Sequence, residues 1–148
     1  MENQNNKTEG KRLVIIGAVA AGTSAAAKAR RNDETLEIVI YERDSYISYS
    51  GCGLPYYIGG VVKDMATLTP RDPAFFAANA RVDIKVRHEV VAIDAESKTL
   101  RVRNLEAESE FTDSYDTLVI ATGATAVRPP IKGIDLPHVF TLRTPGDA

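Results

Sequence analysis

The apolar residues of this chain fall in short blocks whose period changes along its length. Residues 13–16 are apolar without a break, the pattern of a strand buried on both faces. Residues 20–31 are alanine-rich and read as a helix, with Arg30 and Arg31 well placed against the dipole at its C-terminal end and Asn32-Asp33 stopping it. Residues 36–41 form a second buried strand, so the first forty residues read as most of a βαβ unit. A glycine- and tyrosine-rich loop follows over 45–60, in which Pro55 opens a short helix, and another short helix is predicted over 70–79. Residues 82–86 alternate like a strand. Three short strands over 89–94, 99–103 and 108–112, separated by polar turns, predict a β-meander. Residues 117–121 are again a buried-strand pattern, ending at Thr122-Gly123. Four of the seven prolines lie beyond Val127, which makes 128–148 read as an extended linker, and the polar stretch 1–10 reads as a disordered tail.

Composition narrows the function classes. With 148 residues, 44% apolar and 26% charged, the chain can bury one core, and its net charge of −2 comes without a block of like charges. That pattern gives no footprint for nucleic acid or an anionic membrane. The apolar runs are too short to span a bilayer and no signal-peptide pattern lines up, so the expected location is the cytoplasm. The single cysteine, Cys52, cannot form an internal disulfide and fits a reducing compartment. His88 and His138 lack ligand-like spacing, and no metal site is expected.

Two stretches carry candidate chemistry. Gly17-Ala18-Val19-Ala20-Ala21-Gly22 lies between a strand and a helix. It has the outer glycines of a dinucleotide fingerprint, with Val19 at the place of the middle one. Gly17 suits a tight turn that aims backbone N–H groups at a pyrophosphate, and Gly22 suits close packing of helix on strand. Glu42, 20 residues beyond Gly22 at the end of the second strand, is placed to accept hydrogen bonds from a ribose diol. The alternative is a βαβ turn with no ligand. Ser48-Tyr49-Ser50-Gly51-Cys52-Gly53-Leu54-Pro55-Tyr56-Tyr57 sets the thiol between two glycines and ahead of a helix N-terminus, an arrangement that favours the reactive thiolate. A lone thiol has no resolving partner, so its oxidised form is a mixed disulfide with an outside thiol or a sulfenic acid. The plain alternative is a small buried hydrophobe.

Taken with Tyr41-Glu42-Arg43, His88-Glu89-Val90 and Ala121-Thr122-Gly123-Ala124, these stretches make residues 12–147 resemble the N-terminal part of the pyridine nucleotide–disulfide oxidoreductases, in the branch of coenzyme A disulfide reductases, NADH oxidases and peroxidases. The Cys-Gly-Leu-Pro-Tyr loop is the specific element of that resemblance. It implies an α/β fold, an FAD-binding Rossmann-like three-layer fold with a parallel sheet and a β-meander, incomplete at this length. Residues 11–127 would be the N-terminal portion of an FAD-binding domain and 128–148 a linker toward an NAD(P)H domain beyond the chain. The resemblance implies FAD along Gly17, Ala18, Val19, Ala20, Ala21 and Gly22. Glu42 would bind the adenosine ribose, Arg43 would lie beside the adenine, Val90 would touch it through the main chain, and Ala121, Thr122 and Gly123 would run along the cofactor. It implies that electrons pass from NAD(P)H through FAD to an oxidised Cys52, with Ser48 near the thiol, and that Ser24, Lys28 and Arg31 meet a coenzyme A substrate. The partner is then a small-molecule disulfide or peroxide, and the full-length protein a homodimer. Gly51 stands where many members have asparagine, which leaves the acceptor open between a disulfide or polysulfide and a peroxide reduced through a Cys52 sulfenate. The other class left open is a non-catalytic nucleotide-binding fragment. A lone fragment is expected to hold FAD weakly and to lack turnover.

Overall fold

The computed structural model describes residues 10–148; of the tail expected over 1–10, residues 1–9 lie outside the described residues. Three layers form from two sheets and two main helices. Strands β1 (Arg12–Ile16), β2 (Glu37–Tyr41), β3 (Val82–Lys85) and β7 (Thr117–Ile120) make a parallel sheet in the order β3-β2-β1-β7. Strands β4 (His88–Asp94), β5 (Thr99–Asn104) and β6 (Ser109–Ser114) make the antiparallel meander.

Alternation along β1 and β2 divides the core in two, because successive side chains of a strand point to opposite faces. Leu13, Ile15, Ile38 and Ile40 face α1 (Ala20–Asn32) and α3 (Pro73–Ala80), where Ala26 and Phe76 complete the packing. Val14, Val39 and Tyr41 face the other way and meet Leu100 and Val102 of the meander. A sheet covered on both faces explains why β1 and β2 are unbroken apolar runs.

The meander is also held at its rim by a polar clamp. The Arg12 guanidinium donates to Asp113 at 2.7 Å, to the Ser114 carbonyl at 3.0 Å and to Glu37. The Tyr41 hydroxyl donates to the same Asp113 oxygen at 2.7 Å. Burial pushes the Asp113 carboxyl up, but the bonds from Arg12 and Tyr41 outweigh that and leave it below the ordinary value of 3.8.

Several expected bounds change, and the helix expected over 70–79 is α3 over Pro73–Ala80. The third meander strand begins at Ser109 rather than 108, because Glu108 adopts a left-handed backbone (φ 50°) and belongs to the turn. The segment over 117–121, read as a buried strand, is an edge strand: among the described residues β7 pairs only with β1, and Ile120 at its end is 64% exposed. The β4–β5 pairing carries a bulge between Val90 and Ala92. Residues 128–148 hold no strand, and their one helical piece is a 3₁₀ turn over Pro145–Asp147. No helix among the described residues is long and apolar enough to cross a membrane.

Candidate functional site

The strand register collects the candidate residues at one edge of the parallel sheet. Ile16 is level with Tyr41 of β2 and with Ile120 of β7. The next residue on each strand is therefore Gly17, Glu42 and Ala121. Sequence segments about a hundred residues apart thus meet in the crevice beyond the carboxyl ends of the strands, where open α/β sheets bind their ligands.

Backbone bonds knit these three points together. Gly17 N–H donates to the Tyr41 carbonyl at 2.8 Å, and Ala121 N–H to the Ile16 carbonyl at 2.8 Å. Gly17 has φ 102°, and a Cβ there would collide with the Ala121 carbonyl. Gly22 is buried where α1 leaves the turn, and a Cβ on it would collide with the Gly17 carbonyl and crowd Ile15. Both outer glycines of the fingerprint are thus sterically required. Val19, at the place of the middle glycine, is the N-cap of α1.

The first turn of α1 has no side-chain cap and no acidic residue. Its orphan amides and positive dipole end are left for an anionic ligand or water, as a pyrophosphate site requires. Glu42 is buried, 8% exposed, and its carboxylate accepts from Ala18 N–H at 2.7 Å and from Asp44 N–H at 2.9 Å. Each oxygen has one amide partner and further lone pairs, so the carboxylate is fixed in place yet still able to accept from a diol. The donor set fits the adenosine half of a dinucleotide.

The remaining candidates divide by place. Arg43 follows Glu42 and is exposed. Val90 lies at the β4 bulge; His88, two residues earlier, donates its N–H to the Glu42 carbonyl at 2.9 Å, so β4 starts at the same edge. Thr122 and Gly123 continue exposed from Ala121, Gly123 with φ 70°. Ser24, Lys28 and Arg31 are all exposed and, at this spacing, share one face of α1, away from the buried Gly22, Thr23 and Ala26.

Cys52 lies in a 3₁₀ turn, Gly51–Gly53, directly before α2 (Leu54–Ile58), and is free and exposed. Its loop reaches the glycine turn through Ser48, whose N–H donates to the Ala18 carbonyl at 2.9 Å. The thiol is therefore not a packed core group, which removes the buried-hydrophobe alternative. Of the neighbouring aromatics, Tyr56 is exposed, while Tyr49 donates to the Arg143 carbonyl at 3.4 Å.

Arg143 was not singled out from sequence. Its Nε donates to the Ala124 carbonyl at 3.0 Å, which ties the end of the chain to the Ala121–Gly123 stretch. Asp147 holds Arg143 in place by accepting from its N–H at 2.8 Å and from Thr144 N–H at 2.7 Å. The readable signal was Thr144-Pro145-Gly146-Asp147, a capping-box spacing within a stretch taken as linker. Leu68 was missed as well: it is buried in a polar loop and accepts from Ser50 N–H at 2.8 Å. A cavity of about 330 Å³ among Arg30, Glu34, Glu37, Arg81 and Asp83 lies at the opposite end of the sheet. Arg30 there donates to the Ala80 and Arg81 carbonyls at 2.9 Å, the last carbonyls of α3, so that cluster caps a helix.

The chain that carries two glycines and a carboxylate at one sheet edge, with a single exposed thiol on the adjoining loop, is similar to known proteins. The family model for pyridine nucleotide-disulphide oxidoreductases matches residues 11–148. The chain belongs to that family. Within it, a coenzyme A disulfide reductase of Staphylococcus haemolyticus is 36% identical over 137 residues, 93% of this chain and 30% of the relative. The crystal structure of reduced CoADR-RHD from Bacillus anthracis superposes with a TM-score of 0.88 at 39% identity, covering 93% of this chain and 25% of that one. An NAD-dependent persulfide reductase from A. fulgidus gives 0.85 at 39% identity, over 92% of this chain and 25% of that one. The chain spans less than a third of the length of these oxidoreductases.

Proposed function

We propose that this chain is the FAD-binding portion of a single-cysteine disulfide reductase, with Cys52 as the redox group. The observation that carries the proposal is the register that sets Gly17, Glu42 and Ala121 level at one sheet edge, with the Cys52 loop bonded to Ala18 beside them. In this reading the α1 amides and the Gly17–Gly22 turn take the pyrophosphate and Glu42 takes the adenosine ribose. Arg43 and the Val90 main chain flank the adenine, and Ala121, Thr122 and Gly123 line the rest. FAD, when bound, supplies a two-electron carrier between a pyridine nucleotide and a disulfide.

The chain's own step is nucleophilic. The Cys52 thiolate attacks one sulfur of a low-molecular-weight disulfide RS–SR, forms the mixed disulfide Cys52–S–S–R and releases RS⁻. Two electrons originating in NAD(P)H break that bond, releasing the second RS⁻ and restoring the thiolate. The relatives' names favour coenzyme A disulfide or a persulfide as the sulfur substrate, and Ser24, Lys28 and Arg31 offer an exposed face of α1 to it. A cationic Arg31 suits a phosphate. The NAD(P)H site and the homodimer contacts belong, in this proposal, to a longer protein, and its place is the cytoplasm.

The test is turnover by the longer protein with NADH or NADPH. Reduction of coenzyme A disulfide or polysulfide that disappears in Cys52→Ser, while FAD stays bound, is the expected result. Normal turnover in Cys52→Ser makes the cysteine structural. Peroxide consumed far faster than any disulfide gives the peroxidase chemistry instead, with Cys52 cycling through sulfenate.

A further inference from the structure

Between Glu42 and Cys52, Ser48 is the one residue with a left-handed backbone, φ 48°. L-residues other than asparagine and aspartate seldom hold that conformation, and where they do, the surrounding structure enforces it and the position is often functional. Here the neighbours show what enforces it. Ile47 is 3% exposed and packs in the core beneath α1. Ser48 N–H then reaches the Ala18 carbonyl of the glycine turn at 2.9 Å. Two residues later Ser50 N–H reaches the Leu68 carbonyl at 2.8 Å, and Gly53 N–H returns to the Ser50 carbonyl at 3.0 Å, closing the turn that holds Cys52. The chain thus buries Ile47, bonds its next amide to the glycine turn and, two residues on, bonds the buried Leu68 of a third segment, so residue 48 must turn the backbone between two fixed bonds. A left-handed residue makes that turn.

We infer that Ser48 is a positioning residue that acts through its backbone rather than its hydroxyl: its left-handed turn and its N–H bond to Ala18 set the Cys52 thiol over the cofactor turn. The inference rests on the FAD reading above. It separates two properties that side-chain removal alone confuses. Threonine keeps the hydroxyl but, being β-branched, resists positive φ. Glycine discards the hydroxyl and takes positive φ freely, and asparagine tolerates it.

Cys52 is the one thiol in the chain, so a maleimide reports on it alone. The experiment measures the rate of Cys52 alkylation in the 148-residue chain with and without FAD, at an FAD concentration that saturates the flavin fluorescence change of the wild type. Wild type, Ser48→Gly, Ser48→Asn and Ser48→Thr are compared, with circular dichroism to confirm that each is folded. The expected result is that FAD slows alkylation in wild type, Ser48→Gly and Ser48→Asn, and that Ser48→Thr loses this protection although its hydroxyl is intact. Loss of protection in Ser48→Gly overturns the inference while leaving the FAD reading standing. So does full protection in a folded Ser48→Thr. If Ser48→Thr fails to fold, Ser48→Gly and Ser48→Asn decide, since both relieve the backbone. A wild type that binds FAD, by the flavin fluorescence change, yet alkylates at the same rate with and without it overturns the placement of the flavin against Cys52, and the inference with it.

Discussion

At the scale of single residues, Glu42 is a carboxylate fixed by the fold at the edge where the cofactor is proposed to bind. It is nearly sealed from solvent and each of its oxygens already accepts a backbone amide, from Ala18 and from Asp44. Those amides orient it and offset the cost of burying the charge. Glu42→Ala should weaken FAD binding by the value of a hydrogen bond to a charged group, about 1.5–3 kcal/mol, or roughly ten- to a hundredfold in Kd. A titration that follows flavin fluorescence measures it, and an unchanged affinity removes Glu42 from the site. Glu42 was readable in the sequence from its distance to Gly22. The amides that hold it were not, because Ala18 and Asp44 act through the main chain, whose direction depends on the turn they sit in. Ser48 is a similar case. Its type and its place before Cys52 were visible, but its left-handed backbone is imposed by Ile47, Ala18 and Leu68, which lie on three different segments.

At the scale of elements, the βαβ unit was legible because continuous apolar runs report strands covered on both faces, and the meander because polar turns separate its three short strands. Pairing order was not. The meander covers the second face of β1 and β2 while β7 returns past it to pair beside β1, and no local pattern announces that order. The boundary at Glu108 was missed for a smaller reason: the turn uses a non-glycine residue in a left-handed conformation, so the usual glycine signal is absent. The link between the two sheets is testable at Arg12. Arg12→Met removes the donor to Asp113, Ser114 and Glu37 and should cost about 1–3 kcal/mol, read as a lower midpoint in thermal unfolding. The clamp also sets a pH dependence. Because the Asp113 carboxyl is held below its ordinary 3.8 in the fold, its contribution is present above that value and is lost as the pH falls through the lowered one. Tyr41 is shifted the other way, chiefly by burial and then by its bond to Asp113, above its ordinary 10.0. Its contribution is present below that value and is lost as the pH rises through the raised one. Acid unfolding followed by circular dichroism should show the drop below pH 3.8 shrink in Arg12→Met; an unchanged acid profile would detach Arg12 from the carboxyl.

At the scale of the molecule, the described residues carry a finished core and an unfinished edge. Among the described residues β7 has one open side, Ile120 at its end is exposed (64%), and Val127 (84%) and Phe140 (80%) stand exposed along the stretch that follows it. Exposed apolar side chains beside an unpaired strand edge favour association. Val127→Lys combined with Phe140→Lys should reduce concentration-dependent light scattering of this chain without altering its circular dichroism; unchanged scattering would place the sticky surface elsewhere. The candidate cofactor edge, built from β1, β2, β7, the start of β4 and the loops between them, lies within the described residues and can be tested by itself. The most direct measurement is a crystal structure of the chain soaked with FAD. The account predicts the pyrophosphate over Gly17–Gly22 at the start of α1, the adenosine ribose on Glu42, and the flavin ring in van der Waals contact with the Cys52 sulfur. FAD density elsewhere on the molecule, or a flavin ring turned away from that sulfur, would contradict it.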